Sequence, residues 1–127
     1  MRLGLVLLVA IPLSLSCRKH VDTRLIGSEI PENASFTIKV VNNNRLDMVL
    51  YIVHDSHRER LGNATASTTS NFEFRLRRLG AGREFRLQAD PIGSSTPVRT
   101  ETFLARDAML VTWTLETDLK RSSVTVF

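Results

Sequence analysis

The sequence has little of what most chemistry needs. It holds one cysteine, one tryptophan, one tyrosine and three histidines in 127 residues. A single cysteine excludes an intramolecular disulfide and any zinc site built on several thiolates. Glycine-rich phosphate loops, paired metal-ligand motifs and nucleophile elbows are all missing. Repeats and low-complexity blocks are absent as well. The net charge is +4, yet lysine and arginine form no dense run and no aromatic series is interleaved with them. Nucleic-acid binding is therefore not expected. Neither is an enzymatic activity, nor a cofactor. After residue 17 no segment carries a helical apolar stripe.

Long apolar runs are confined to one place. Residues 3–15, "LGLVLLVAIPLSL", are uncharged and follow Arg2. The uncharged run from Leu3 to Ser16 is 14 residues, about 21 Å as a helix. A bilayer core is about 30 Å thick, so the run is short for a stable span. A positive start, an apolar middle and small residues make the layout of a secretory signal. Pro12 near its end suits a processed segment. Removing residues 1–16, with Arg2 their only charge, takes the formal charge from +4 to +3. The expected organisation is a signal peptide over 1–16, Cys17 with a polar tether over 17–34, and one domain over 35–127. A flexible tether from 18 to 34 spans about 22 Å.

The lone thiol stands at the boundary, in "LSLSC". A free thiol is a liability in an exported protein, unless it is capped. The stretch resembles the bacterial lipoprotein signal, whose usual form is leucine, a small residue, then glycine, alanine or serine before the cysteine. Ser16 occupies the last of these places; Leu13 and Leu15 each stand one position from the expected leucine. The resemblance implies that Cys17 carries a diacylglyceryl group, with its new amino group acylated. It also implies export and a membrane anchor, with the protein facing the periplasm or the cell surface. Arg18 in place of aspartate after the cysteine implies transfer to an outer membrane where one exists. Together, "VVNNN", "RLGN", "LQADPIG" and the final "SSVTVF" resemble small bacterial β-sandwich lipoproteins, a likeness that implies class and location and no activity.

The domain itself alternates. "FTIKV" sets Phe36, Ile38 and Val40 against Thr37 and Lys39. "NFEFRLR" sets Phe72, Phe74 and Leu76 against Glu73, Arg75 and Arg77. "EFRLQA", "MLVTWTLE" and "SVTVF" repeat the pattern, with Phe85, Leu87, Ala89, Met109, Val111, Trp113, Leu115, Val124 and Val126 inward. Period-two patterning with one solvated face signals antiparallel strands. "MVLYIV" at 48–53 is apolar on both faces, so a central strand covered on both sides is expected there. Turn residues punctuate the runs at "NNN" (42–44), "GAG" (80–82) and "DPIGSSTP" (90–97). The expected fold is an all-β antiparallel sandwich of seven or eight strands, immunoglobulin-like or transthyretin-like. Trp113 is an expected core anchor; Trp113→Ala should cost about 3–5 kcal/mol, read from a denaturant melt.

Three stretches are candidates for a site. "HDSH" places His54 and His57 around Asp55 and Ser56, a weak metal candidate. Neighbours in an extended chain point to opposite faces, so no Ser-His-Asp triad closes within four consecutive residues. The plainer reading is a hairpin turn at Asp55-Ser56 with two exposed imidazoles. "ADPIGSSTP" offers Asp90, Ser94, Ser95 and Thr96 as a ligand loop for a sugar or peptide, or simply a turn. Finally, a two-residue loop at 80–81 would set Phe74 opposite Leu87, Arg77 opposite Glu84 and Arg75 opposite Arg86. Like charges opposed in this way repel, and an anion would relieve them. Arg75 and Arg86 are thus a candidate anion patch for an envelope polymer, a lipid phosphate or an acidic envelope protein. Two acceptor triplets for N-glycosylation, at Asn33 and Asn63, arise easily by chance.

Overall fold

The computed structural model describes residues 30–127. The expected signal peptide, Cys17, His20 and the tether up to residue 29 lie outside the described residues. The alternating runs become strands because pleating sends successive side chains to opposite faces. These are β1 (Ser35–Asn42), β2 (Met48–His54), β3 (His57–Ala64), β4 (Thr68–Arg75), β5 (Glu84–Pro91), β6 (Val98–Arg99), β7 (Phe103–Leu104), β8 (Leu110–Leu115) and β9 (Ser123–Val126). Two short 3-10 turns, Leu76–Leu79 and Leu119–Arg121, complete the set. The chain is an all-β sandwich. Among the described residues its nine strands exceed the seven or eight expected because β6 and β7 are two-residue pieces. Among the described residues, no helix is long and apolar enough to cross a membrane.

The first sheet runs β4-β1-β8-β9; the second runs β3-β2-β5-β6, with β7 also paired to β5. All pairs are antiparallel except β1 with β8, which are parallel from Thr37↔Leu110 to Asn42↔Leu115. An immunoglobulin sandwich keeps its first two strands in one sheet. Here β1 and β2 lie in opposite sheets, and the first strand is central. Of the two expected arrangements, this is the transthyretin-like one. As expected, β2 is central in its sheet, but it is covered on one face only. Its inner residues Met48, Leu50 and Ile52 are buried, while Val49, Tyr51 and Val53 are half-buried on the outer face.

The core lies between the sheets. Phe36, Ile38, Val40, Phe74, Val111, Trp113 and Leu115 meet Met48, Leu50, Ile52, Phe85, Leu87 and Ala89. Phe36 anchors an aromatic cluster, with ring centroids 4.8 Å from Phe85 and 5.8 Å from Phe74. Two expected core residues are only partly buried, Phe72 and Val124, and Val126 near the chain end is exposed. Residues 30–34, read from sequence as tether, rest on the sandwich. Ile30 packs on the core and Ala34 belongs to it. Glu32 also sits 3.5 Å from Arg77.

The expected hairpin around residues 80–81 does not form. β4 and β5 belong to different sheets. Phe74 lies opposite Phe36 and Arg75 opposite Ser35, whereas Leu87 lies opposite Ile52 and Arg86 opposite Val53. The cause is Leu76 and Leu79, both buried. Three residues apart, they fall on one side of a 3-10 turn. That turn carries the chain across the end of the sandwich from one sheet to the other. The pairing that made Arg75 and Arg86 a patch is therefore absent.

Candidate functional site

Four connections meet at one end of the sandwich: β1–β2, β3–β4, β5–β6 and β8–β9. The registers fix this, since Asn42 faces both Thr68 and Leu115, and Met48 faces both Ala64 and Pro91. Two asparagines of "NNN" tie three of the connections together. Asn42 is fully buried. Its Nδ2 donates to the carbonyls of Leu46 and Ala64, both at 3.0 Å, and its Oδ1 accepts from the Asn44 amide at 3.0 Å. Asn44 Nδ2 in turn donates to the carbonyls of Glu116 and Thr117, both at 3.0 Å. Every amide group of the pair works against main chain, which fixes the loop end without regular ladder bonds. Sequence reading saw only turn residues here. The signal that could have found the tie is an asparagine at an inward position of β1.

Beside this network the two sheets part, leaving a cleft of about 850 Å³. It opens between the last strands of the two sheets, β6 and β9. Its floor is apolar, formed by Leu46, Val98, Trp113, Leu119 and Val124, and its rim carries hydroxyls from Ser94, Thr96, Thr100, Thr117, Ser122 and Ser123. Arg99 and Lys120 face it together with Glu101 and Asp118. That volume lies in the range of ligand pockets. Of the expected ligand loop, Ser94 and Thr96 reach the cleft. Ser95 is exposed and outside the lining. Asp90 turns away onto the outer face of the second sheet, where its Oδ1 accepts from Gln88 Nε2 at 2.7 Å.

The β9 edge of the cleft offers main-chain groups. Leu110 and Phe127 exchange both amide–carbonyl bonds, at 3.0 and 2.9 Å. Bonded pairs alternate along an antiparallel ladder. The N–H and C=O of Val124 and Val126 therefore point away from β8, toward the open edge.

Arg86 has other neighbours than those expected. On the outer face of the second sheet it lies with Val49, Tyr51, Val53, Glu84, Gln88 and Asp90, and with Arg58 and Arg60 of β3 and Arg99 of β6. A bulge between Leu50 and Tyr51 makes Gly62 face Leu50 and Arg60 face Tyr51. Arg58 and Arg60, two residues apart and opposite Val53 and Tyr51, face outward together on the turn side of the bulge. Arg58 stacks over the Tyr51 ring at 4.3 Å and lies 3.5 Å from Asp90 Oδ2. Arg99 Nε donates to Gln88 Oε1 at 3.0 Å, and Arg60 donates to Asn63 Oδ1 at 2.7 Å. Arg75 takes no part, being on the other sheet. Sequence alternation placed Arg75, Arg77 and Arg86 outward; the meeting of Arg86 with Arg58, Arg60 and Arg99 depends on strand order, which alternation does not carry.

The histidines sit at the opposite end of the sandwich. Asp55 and Ser56 have φ of 45° and 62°, the left-handed pair of a two-residue hairpin turn. His57 is exposed, but His54 is not: its side chain is 10 % exposed, against the two exposed imidazoles expected. Its Nε2 is 3.9 Å from Glu59 Oε2 and its buried Nδ1 has no hydrogen-bond partner. The ring lies edge-on to Phe74, centroids 6.2 Å apart. Arg78 pairs with Glu59 and covers Phe74 at 4.8 Å. Among the described residues, no group of three histidine, cysteine, aspartate or glutamate side chains is placed to hold a metal.

No family model and no curated protein matches the sequence. Among solved structures, an NMR structure of a protein from Eubacterium rectale is similar over 80% of this chain and 93% of its own, with a TM-score of 0.45 and 13% identity.

Proposed function

We propose that this chain is an exported, lipid-tethered binding module whose sandwich takes an extended peptide of an envelope protein along the cleft. The observation that supports this reading is the cleft itself, open between the free edges of β6 and β9. An extended segment laid on β9 would meet the outward main-chain groups of Val124 and Val126. Its alternate side chains would drop onto Val98, Leu119 and Val124. This is strand addition, in which main-chain bonds supply affinity and side-chain pockets supply choice. A sugar is the weaker candidate, because Trp113 is 2% exposed and has no ring face to offer. Signal peptide, Cys17 and tether place the module at the membrane in this reading.

Trp113 is the only tryptophan and lines the cleft, so its emission reports occupancy. Ten-residue peptides tiled over envelope proteins should include some that shift it. Proline is tolerated on an edge strand where its missing N–H would face solvent. Val124→Pro should therefore keep the sandwich folded while weakening peptide binding at least tenfold. Peptide binding unchanged by Val124→Pro, in a variant that melts like the parent, would overturn the cleft reading. For the tether, Cys17→Ser should leave the domain folded and release it from membranes. An unmodified thiol in the mass spectrum of the membrane-extracted protein would defeat that part.

A further inference from the structure

The outer face of the second sheet gathers Arg58, Arg60, Arg86 and Arg99 around Tyr51. Two carboxylates share the face. Asp90 serves Arg58, and Glu84 stands at the far end of β5, opposite Leu104. Among the described residues, no carboxylate lies within ion-pair distance of Arg60, Arg86 or Arg99. Two of these three are held all the same, by neutral amides: Arg60 by Asn63 and Arg99 by Gln88. Gln88 is itself 4% exposed. An amide oxygen orients a guanidinium without neutralising it. Each guanidinium has five donors, so most remain for a ligand. The face is a pleated plane rather than a pocket; the cleft touches only Arg99 of the four.

We infer that this face is a docking surface for the phosphate headgroups of an anionic bilayer. Charge complementarity supports it, and a plane of fixed arginines fits a plane of phosphates better than it fits one small anion. The inference rests on the tethered reading above for its choice of surface. With residues 30–34 resting on the sandwich, a flexible tether over 18–29 spans about 19 Å, so the module meets that surface at high local concentration and a weak contact suffices. Docking by this face turns the module onto its side.

The test uses the full chain carrying Cys17→Ser, which adds no acyl chains, sedimented with phosphatidylcholine vesicles with and without phosphatidylglycerol. Binding should be tighter to the anionic vesicles at low salt. Arg60→Gln with Arg86→Gln should reduce that excess roughly 25-fold, at about fivefold per arginine. Lys39→Gln with Arg106→Gln, which removes the same charge elsewhere, should leave it unchanged. Thermal melts confirm that both double variants are folded. Three results would overturn the inference. One is an equal loss in both double variants. Another is no preference for anionic vesicles. The third is arginine-dependent capture of soluble polyphosphate or an acidic glycan that vesicles do not match. Because the assay uses unlipidated protein, its failure leaves the tether untouched, and a free Cys17 in cells would leave the vesicle result untouched.

Discussion

The two outer faces of this sandwich obey one pattern and carry opposite chemistry. On the first sheet hydroxyls lead the outward side chains, at Thr37, Thr69, Thr112, Thr114 and Thr125 with Ser35 and Ser123, beside Lys39, Asn71, Glu73 and Arg75. On the second sheet they are arginines around a tyrosine. Threonine suits a pleated, half-exposed surface and needs no partner there. Arginine does not gain its place that way, since exposed ion pairs contribute about 0–1 kcal/mol and three of these four have no carboxylate partner among the described residues. The contrast teaches that stability accounts for the first face and leaves the second unaccounted for. Neutral amides hold two of the four and orient their charge without cancelling it.

Among variants that probe this contrast, the largest expected effect is at the bulge beside the arginines. Gly62 has φ +156°, and a Cβ there would meet Phe72 Cε1 at 2.8 Å. Gly62→Ala should cost about 2–4 kcal/mol through strain and crowding, seen as a fall in Tm of the order of 10–20 °C. It should also lower vesicle binding by disturbing the bulge. Next comes Gln88→Leu, which leaves Asp90 and Arg99 without their shared partner. The expected cost is about 1–2 kcal/mol, with a shallower salt dependence of vesicle binding. Arg58→Gln should cost only about 0.5–1 kcal/mol, the worth of an exposed ring stack, by urea melt. The smallest effect is expected on the quiet face. Thr112→Val should stay within about 0.5 kcal/mol of the parent and leave vesicle binding unchanged. A larger loss at Thr112 than at Gln88 would break the comparison.

How much of this was legible in the sequence follows from the range of each signal. Alternation is local, and it placed Phe36, Ile38, Val40, Trp113 and Leu115 correctly between the sheets. It placed Leu76 inward, and Leu76 is buried, but in a 3-10 turn and not in the strand, because a buried pair at Leu76 and Leu79 looks like strand at one residue and like a 3-10 turn only at both. It placed Phe72 and Val126 inward as well. Phe72 packs only partly, against the bulge, and no neighbouring strand covers Val126 at the chain's end. Strand order is non-local, so neither the cleft nor the arginine face was visible. Ser94 and Thr96 were found by composition. Asp90 was grouped with them by sequence adjacency, yet the strand pleat turns it to the other surface.

The parallel pairing of β1 with β8 also sets a timetable. Residues 37–42 cannot complete their sheet until residues 110–115 have arrived, whereas β2, β3 and β5 have all their mutual partners once residue 91 is out. A chain that emerges amino end first would thus raise the arginine-bearing half early and hold the hydroxyl-bearing half open until β8 has followed. Contacts so distant in sequence belong to folds that form in milliseconds to seconds. Through that interval β1 is a central strand waiting with one edge unpaired.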